Sequence, residues 1–214
     1  MENVGQRRPS IRESAIREAQ RIVGLAMGAC LAMWFAPIVS GVACNVAEKK
    51  MVRELLSVLG SDTSDGVVSN LFWFFRKKLL VLNGLTYVPF AGTSFQLAEV
   101  YALGQFTIHC ATHFSDVANE QHLAESWKAI EGEIFSGQRV VCSYEQFTGT
   151  TFPLAIKRKF IPTVDLMRDI YLRAERIPGV EGKQEKAGQA MRTALNLGTT
   201  IVGDLIRRAR QAGK

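Results

Sequence analysis

Residues 22–47 read IVGLAMGACLAMWFAPIVSGVACNVA, a run of 26 residues without a charged side chain. A membrane-spanning helix needs roughly 20 such residues in an unbroken stretch. Pro37 breaks the run, because proline donates no backbone hydrogen bond and biases Ala36 away from the helical region. We therefore predict two helical arms that meet near residues 36 and 37 and form an apolar hairpin.

A second apolar region covers residues 79–115 and contains neither Lys nor Arg. Its one acidic residue is Glu99. Pro89 and Gly92 interrupt the region near its start, because both residue types disfavour a continuing helix. The sequence predicts an entry segment, a turn at 88–92 and then a long helix, which together make a second broken hairpin.

Amphipathic patterns before, between and after these regions predict further helices. Ser10 and Glu13 form a capping box that begins the first helix. Gly60 ends the amphipathic stretch that follows Lys50. From Asp116 onward the composition becomes that of an ordinary soluble helix. We predict an all-α helical bundle in which two Pro/Gly-broken apolar helical hairpins are followed by amphipathic helices.

Composition divides the chain into a polar start, an apolar middle, a stretch with several Gly and Pro, and a more charged end. Gly and Pro disfavour regular helix, so that stretch is predicted to be irregular. The predicted segments are a polar amphipathic helix start at 1–21, an apolar helical domain at 15–137, an irregular connector at 138–162 and a C-terminal helical pair at 163–214. The two helices of the pair span about 163–176 and 183–211.

The chain is basic, with 26 Lys and Arg against 20 Asp and Glu and a net charge of +6. Arg17 and Arg21 precede the first apolar run, and Lys49 and Lys50 follow it. Because Lys and Arg favour the cytoplasmic side of a membrane, both ends of the run prefer the same face. A re-entrant hairpin, or helices that lie in the interface, satisfies this better than a single pass.

Five cations next to the apolar helices are candidates for binding lipid headgroups. They are Lys49 and Lys50 after the first run and Arg76, Lys77 and Lys78 before the second. Basic clusters beside apolar helices suit anionic lipid better than nucleic acid. We expect anionic membrane lipids as partners and no nucleic acid, and the sequence gives no oligomeric state.

Six residues of the apolar regions are candidates for helix packing or membrane contact. They are Gly24, Gly28, Pro37, Pro89, Gly92 and Glu99. Gly24 and Gly28 have the spacing that lets helices approach closely in lipid, although the same spacing also serves ordinary helix packing. Glu99 is costly among apolar helices unless it is paired or hydrated. We expect it to face a basic side chain or the water side of an interfacial helix, and Arg76 and Lys77 are the candidate partners.

No motif of a complete enzyme site is present in the sequence. The chain has neither a phosphate-binding Gly-x-x-x-x-Gly-Lys-[Ser/Thr] loop nor a Gly-x-Ser-x-Gly nucleophile motif. His109 and His113 have i, i+4 spacing, but no second pair of metal ligands accompanies them. We therefore expect a non-enzymatic protein with no catalytic residue, cofactor or metal.

Five short motifs stand out in the apolar part of the chain: Ala36-Pro37-Ile38-Val39, Lys50-Met51-Val52, Leu59-Gly60, Val88-Pro89-Phe90-Ala91-Gly92-Thr93 and Tyr101-Ala102-Leu103-Gly104. They resemble those of a bacterial helical family known as domain of unknown function 697. The resemblance covers about residues 15–137, and the EcsC-like family has a similar outline. Members often accompany Era-like or dynamin-like GTPase domains and are described as membrane-associated. The resemblance implies a stand-alone accessory to a separate GTPase.

Three functions remain open on the sequence. The first is a non-enzymatic, membrane-associated helical protein at the cytoplasmic face of the bacterial inner membrane, acting beside a GTPase. The second is a soluble, cytoplasmic interaction module that buries both apolar regions internally or against a partner. The third is a pore-forming or toxin-like protein that inserts into membranes.

Overall fold

A computed structural model describes residues 13–33, 40–79 and 91–175, and these residues form seven α-helices without a strand. The predicted all-α class is confirmed. Pro37, Pro89 and the predicted helix at 183–211 lie outside the described residues. The helices are α1 (Glu13–Met33), α2 (Ser40–Val58), α3 (Asp65–Lys78), α4 (Ala91–His113), α5 (Glu120–Ile134), α6 (Gly137–Thr148) and α7 (Leu154–Glu175).

Helix α4 is the centre of the bundle, and it contacts every other helix in the described part of the chain. It runs antiparallel to α1. The side-chain amides of Gln20 and Gln105 exchange two hydrogen bonds of 3.0 and 2.7 Å, and Val23, further along α1, packs against Gly104. Because α4 is covered on all sides, its apolar composition reflects burial within protein.

None of the helices in the described ranges combines the length and the apolar character that crossing a membrane requires.

An aromatic cluster joins α3, α4, α5 and α7. The indole ring of Trp127 lies 5.8 to 5.9 Å from the rings of Phe75, Phe106 and Tyr171, edge to face in each case. The Trp127 Nε1–H donates a 2.9 Å hydrogen bond to the Tyr171 hydroxyl. Edge-to-face packing suits the quadrupoles of aromatic rings, and the hydrogen bond satisfies two polar groups inside the core.

The chain reverses between α2 and α3 at Gly60, as the sequence predicts. Gly60 has φ +66°, a left-handed conformation that glycine adopts without steric cost. The backbone N–H of Ser61 donates to the carbonyl of Leu56 at 2.8 Å, which satisfies a carbonyl of the last turn of α2. The Asp62 carboxylate then accepts from the backbone N–H of Ser64, just before α3 begins.

The predicted irregular connector at 138–162 is wrong. Helix α6 occupies residues 138–148, and α7 begins at Leu154, well before the predicted start near 163. The Ser136 hydroxyl caps α6 by accepting from Arg139 N–H, and Gly149, with φ +66°, ends the helix. Of the glycine and proline residues at 138–162, Gly149 therefore marks a helix end, and Pro162 lies inside α7.

Candidate functional site

A buried cluster of charged side chains links α2, α3 and α4. The Arg76 guanidinium contacts Glu48 Oε2 through Nη2 at 2.6 Å and Glu99 Oε1 through Nη1 at 2.9 Å. It also donates a 2.8 Å hydrogen bond to Asn45 Oδ1. The side chains of Glu48 and Glu99 are only 4% and 3% exposed, whereas that of Arg76 is 22% exposed. Two carboxylates thus share one cation inside the bundle.

Burial and mutual repulsion set the protonation of this cluster. Burial raises the pKa of Glu48, against the attraction of Arg76. Burial, followed by the negative charge of Glu48, raises the pKa of Glu99 to about 8 although Arg76 lowers it. At neutral pH Glu99 is therefore mostly protonated, so at most one ionised carboxylate, that of Glu48, lies opposite the Arg76 guanidinium. This arrangement leaves no excess negative charge in the interior.

The predicted pairing of Glu99 with Arg76 is confirmed. Arg76 was also predicted as a lipid-headgroup ligand; its guanidinium is engaged by Glu48 and Glu99 inside the bundle, and the headgroup role stays a prediction. Glu48 was not predicted as part of the site. The sequence pattern indicates its position, because Met51, Val52 and Leu55 follow Glu48 at i+3, i+4 and i+7 and place it on the buried face of α2.

The helix ends that border the two apolar breaks lie at one end of the bundle. Arg76, in the last turn of α3, reaches the N-terminal halves of α2 and α4. Cys30, near the end of α1, lines an apolar groove of about 210 Å³ together with Ala47 and Val100. We call this the hairpin end, and it consists of residues 27–33 of α1, 40–50 of α2, 73–79 of α3 and 91–100 of α4.

An exposed patch of apolar and cationic side chains lies on α2 and α3 at the hairpin end. Val46 is 64% exposed and Trp73 is 57% exposed. The Lys49 ammonium lies 5.2 Å from the Phe72 ring centroid and 5.8 Å from that of Trp73. Lys77 follows Trp73 by one helical turn and is exposed. We call Val46, Lys49, Trp73 and Lys77 the α2–α3 patch.

Two other predicted headgroup ligands lie next to the patch. Lys50 is exposed and makes a 3.9 Å ion pair with Glu54. The Lys78 ammonium lies 5.7 Å from the Phe74 ring centroid. The sequence contains no acidic residue between Asp65 and Glu99. Helix α3 therefore supplies no carboxylate beyond Asp65, its first residue, that could neutralise Lys77 or Lys78.

The predicted glycine pair packs against protein. A Cβ atom at Gly24 would lie 2.6 Å from Phe147 Cβ of α6, a distance at which one of the two helices must shift. At Gly28 the nearest neighbour would be Thr148 Cγ2 at 3.9 Å, an ordinary contact. Gly24 thus allows α1 and α6 to approach closely, whereas Gly28 is not required sterically. Gly92 is buried in the first turn of α4, and α4 begins at the end of the predicted turn.

At the opposite end of the bundle, a cleft of about 350 Å³ contains the two histidines noted in the sequence. The rings of His109 and His113 stack with centroids 4.0 Å apart. His113 Nδ1 lies 3.0 Å from the carbonyl of His109. Burial, followed by the neighbouring His113, lowers the pKa of His109 to about 4, so its ring is neutral at physiological pH. Within the described ranges, no third His, Cys, Asp or Glu joins them to make a metal site.

Comparison with known proteins gives no relative. No protein-family model, curated protein or solved structure matches the chain significantly. The resemblance to domain of unknown function 697 and to the EcsC-like family therefore stays a prediction from the motifs.

Proposed function

We propose that this chain is a non-enzymatic protein that binds anionic membrane surfaces through the α2–α3 patch. One observation carries the proposal: an exposed Trp73 lies beside the ammonium of Lys49 at the hairpin end. Tryptophan favours the boundary between water and lipid, because its ring is both apolar and able to donate a hydrogen bond. Lysines next to it add attraction to anionic headgroups.

The sequence segments that join the helices at the hairpin end also support membrane contact at this end of the bundle. Residues 34–39 and 80–90 carry no charged side chain and include Trp34, Phe35 and Phe90. Both segments connect to helix ends that lie near the patch. Apolar sequence segments bordered by lysines have the composition of an interfacial membrane anchor.

A more specific role rests on the motif resemblance alone. We propose that the protein acts at the cytoplasmic face of the bacterial inner membrane as an accessory to a separately encoded GTPase. The charge flanks of the apolar run favour that face. Co-purification of a GTPase from cross-linked membranes, absent when the patch is mutated, would support this role.

Vesicle co-sedimentation of the full chain tests the lipid proposal. We expect binding to phosphatidylcholine vesicles that contain phosphatidylglycerol, weaker binding without it, and a decrease with added salt. Each lysine near an anionic surface contributes about 1 kcal/mol. The double variant Lys49→Gln/Lys77→Gln should therefore bind about 30-fold more weakly, the equivalent of about 2 kcal/mol.

A matched control removes the same charge at the other end of α1. Arg17 and Arg21 are exposed and form only i, i+4 and i, i+3 ion pairs with Glu13 and Glu18. Arg17→Gln/Arg21→Gln should bind vesicles as the unmodified protein does. Equal losses in the two double variants would reduce the effect to net charge, and absence of binding to anionic vesicles would refute the proposal.

The second candidate function is a soluble interaction module. The observation that favours it is the burial of most of α4 by the other helices, since α4 makes up most of the second apolar region. A protein that stays monodisperse without detergent and ignores anionic vesicles would support this candidate. Dye release from the same vesicles would identify the third possibility, a pore-forming protein.

A further inference from the structure

The cleft around His109 has the features of a binding site for a small ligand. Its lining comes from four helices: Ile16 of α1, His109 and His113 of α4, Ile130 of α5 and Arg139 of α6. Its volume of about 350 Å³ lies within the range of natural small-molecule sites. It lies at the end of the bundle away from the α2–α3 patch, so a ligand here is independent of lipid binding.

One polar atom in this cleft lacks a partner. His109 Nδ1 is buried and makes no hydrogen bond within the described part of the chain. A buried polar atom without a partner costs about 1 to 3 kcal/mol, and a turn of the ring that brings this atom to an acceptor in the cleft would recover that cost. The neighbouring side-chain amide of Gln105 already exchanges two hydrogen bonds with Gln20, so it does not need a ligand as a partner.

The charge of the lining selects the sign of the ligand. Arg139 contributes a cation, and no Asp or Glu is among the residues that line the cleft. Arg139 has a contact of its own, but a guanidinium carries five N–H donors and can serve several acceptors.

The remaining walls are apolar. Ile16, Ile108 and Ile130 face the cleft from three helices, so an inorganic ion would leave most of this surface without a partner. We propose that the cleft binds a small organic carboxylate, with the carboxylate near Arg139 and His109 and a compact apolar body against the isoleucines.

The three histidines of the chain make the test direct. His122 is an internal control, because it stacks on Phe114 and lies outside the cleft. The full chain is titrated with benzoate while the histidine ring signals are followed by NMR, assigned through single His→Gln variants. We expect saturable shifts of His109 and His113 below about 10 mM and no shift of His122. Benzyl alcohol, which lacks the charge, and inorganic phosphate, which lacks the apolar body, should not saturate the site.

Two variants locate the ligand. Arg139→Gln should weaken benzoate binding at least about tenfold, as the loss of one charge-assisted contact predicts. Ile130→Phe should abolish it by filling the apolar side. Arg158→Gln, which removes an exposed arginine on α7 outside the cleft, should bind normally. The proposal is overturned if benzoate shifts neither cleft histidine, if phosphate or benzyl alcohol binds equally well, or if Arg139→Gln and Arg158→Gln behave alike.

Discussion

Glu99 belongs to an apolar helix, and its side chain is enclosed by protein. It is 2% exposed and faces Arg76 and, through it, Glu48. A buried cluster of this kind adds little net stability over an apolar one, yet the loss of an ionised member leaves its partner as an uncompensated charge. The energetic consequences of these residues therefore depend on protonation.

The pKa of Glu99 makes the stability of the fold depend on pH. Because its pKa is about 8 when folded and 4.5 when free, folding takes up a proton between these values. Its stabilising contribution is complete below the free pKa and disappears as pH rises through about 8. We predict that Glu99→Gln gains at least about 1 kcal/mol over the unmodified protein between about pH 6 and about pH 9. Urea unfolding of both proteins across this range is the measurement, and parallel pH profiles would contradict the pKa.

Replacement of Arg76 removes the only cation from the cluster. We predict that Arg76→Gln lowers the free energy of unfolding by about 3 kcal/mol at neutral pH, because Glu48 is left buried without a partner. Arg53→Gln is the control, since Arg53 pairs with Asp65 on the surface. That change should cost less than about 1 kcal/mol.

A second change at the same site separates charge from packing. The double variant Arg76→Gln/Glu48→Gln should recover part of the lost stability in urea unfolding, because no ionised carboxylate then remains buried beside neutral Glu99. If the double variant were less stable than Arg76→Gln alone, Glu48 would not be the charge that needs compensation.

At the level of helices, close contact between α1 and α6 depends on one glycine. A methyl group at Gly24 would collide with the Cβ of Phe147, whereas Gly28 has room. We predict that Gly24→Ala destabilises the protein by about 1 to 3 kcal/mol through overpacking. Gly28→Ala should be neutral or stabilise by up to about 1 kcal/mol, because alanine is the better helix former. Thermal unfolding of the two variants decides this, and equal effects would mean that α1 and α6 do not pack in this way.

At the level of the whole molecule, Trp127 and Trp73 distinguish a residue that stabilises the fold from a residue proposed to contact the membrane. Trp127 is 1% exposed in the core, whereas Trp73 is on the surface. We predict that Trp127→Ala costs about 3 to 5 kcal/mol of stability, whereas Trp73→Ala changes stability by less than about 0.5 kcal/mol. In vesicle co-sedimentation, Trp73→Ala should lower anionic-lipid binding while the fold, monitored by circular dichroism, stays intact. Unchanged lipid binding would remove Trp73 from the proposed surface.

Local signals predicted most helices of the apolar part of the chain. The turn at Gly60 and the start of α3 after it follow from short-range chemistry that the sequence displays directly. The prediction fails at residues 138–162, because glycine and proline also occur at helix ends and within helices. Gly149 in fact ends α6, and α7 accommodates Pro162.

Only part of the candidate site could be predicted from the sequence. Glu99 stood out as a lone acid in an apolar region, and its partner Arg76 was among the candidates. The cleft residues His109 and Arg139 come from different helices and share no sequence pattern. Pairing of this kind depends on which helices become neighbours, and that is decided by packing across the whole chain.

The sequence by itself determined the all-α class, the apolar character of two regions and the positions of several helix ends, because these depend on hydrophobic periodicity and backbone chemistry within a few residues. Only the tertiary structure decided that α4 is enclosed by protein, that Arg76 points inward and that Lys49 and Trp73 share an exposed patch. The physical reason is that an apolar helix has the same composition whether lipid or protein covers it. Contacts between residues distant in sequence determine which of the two it meets.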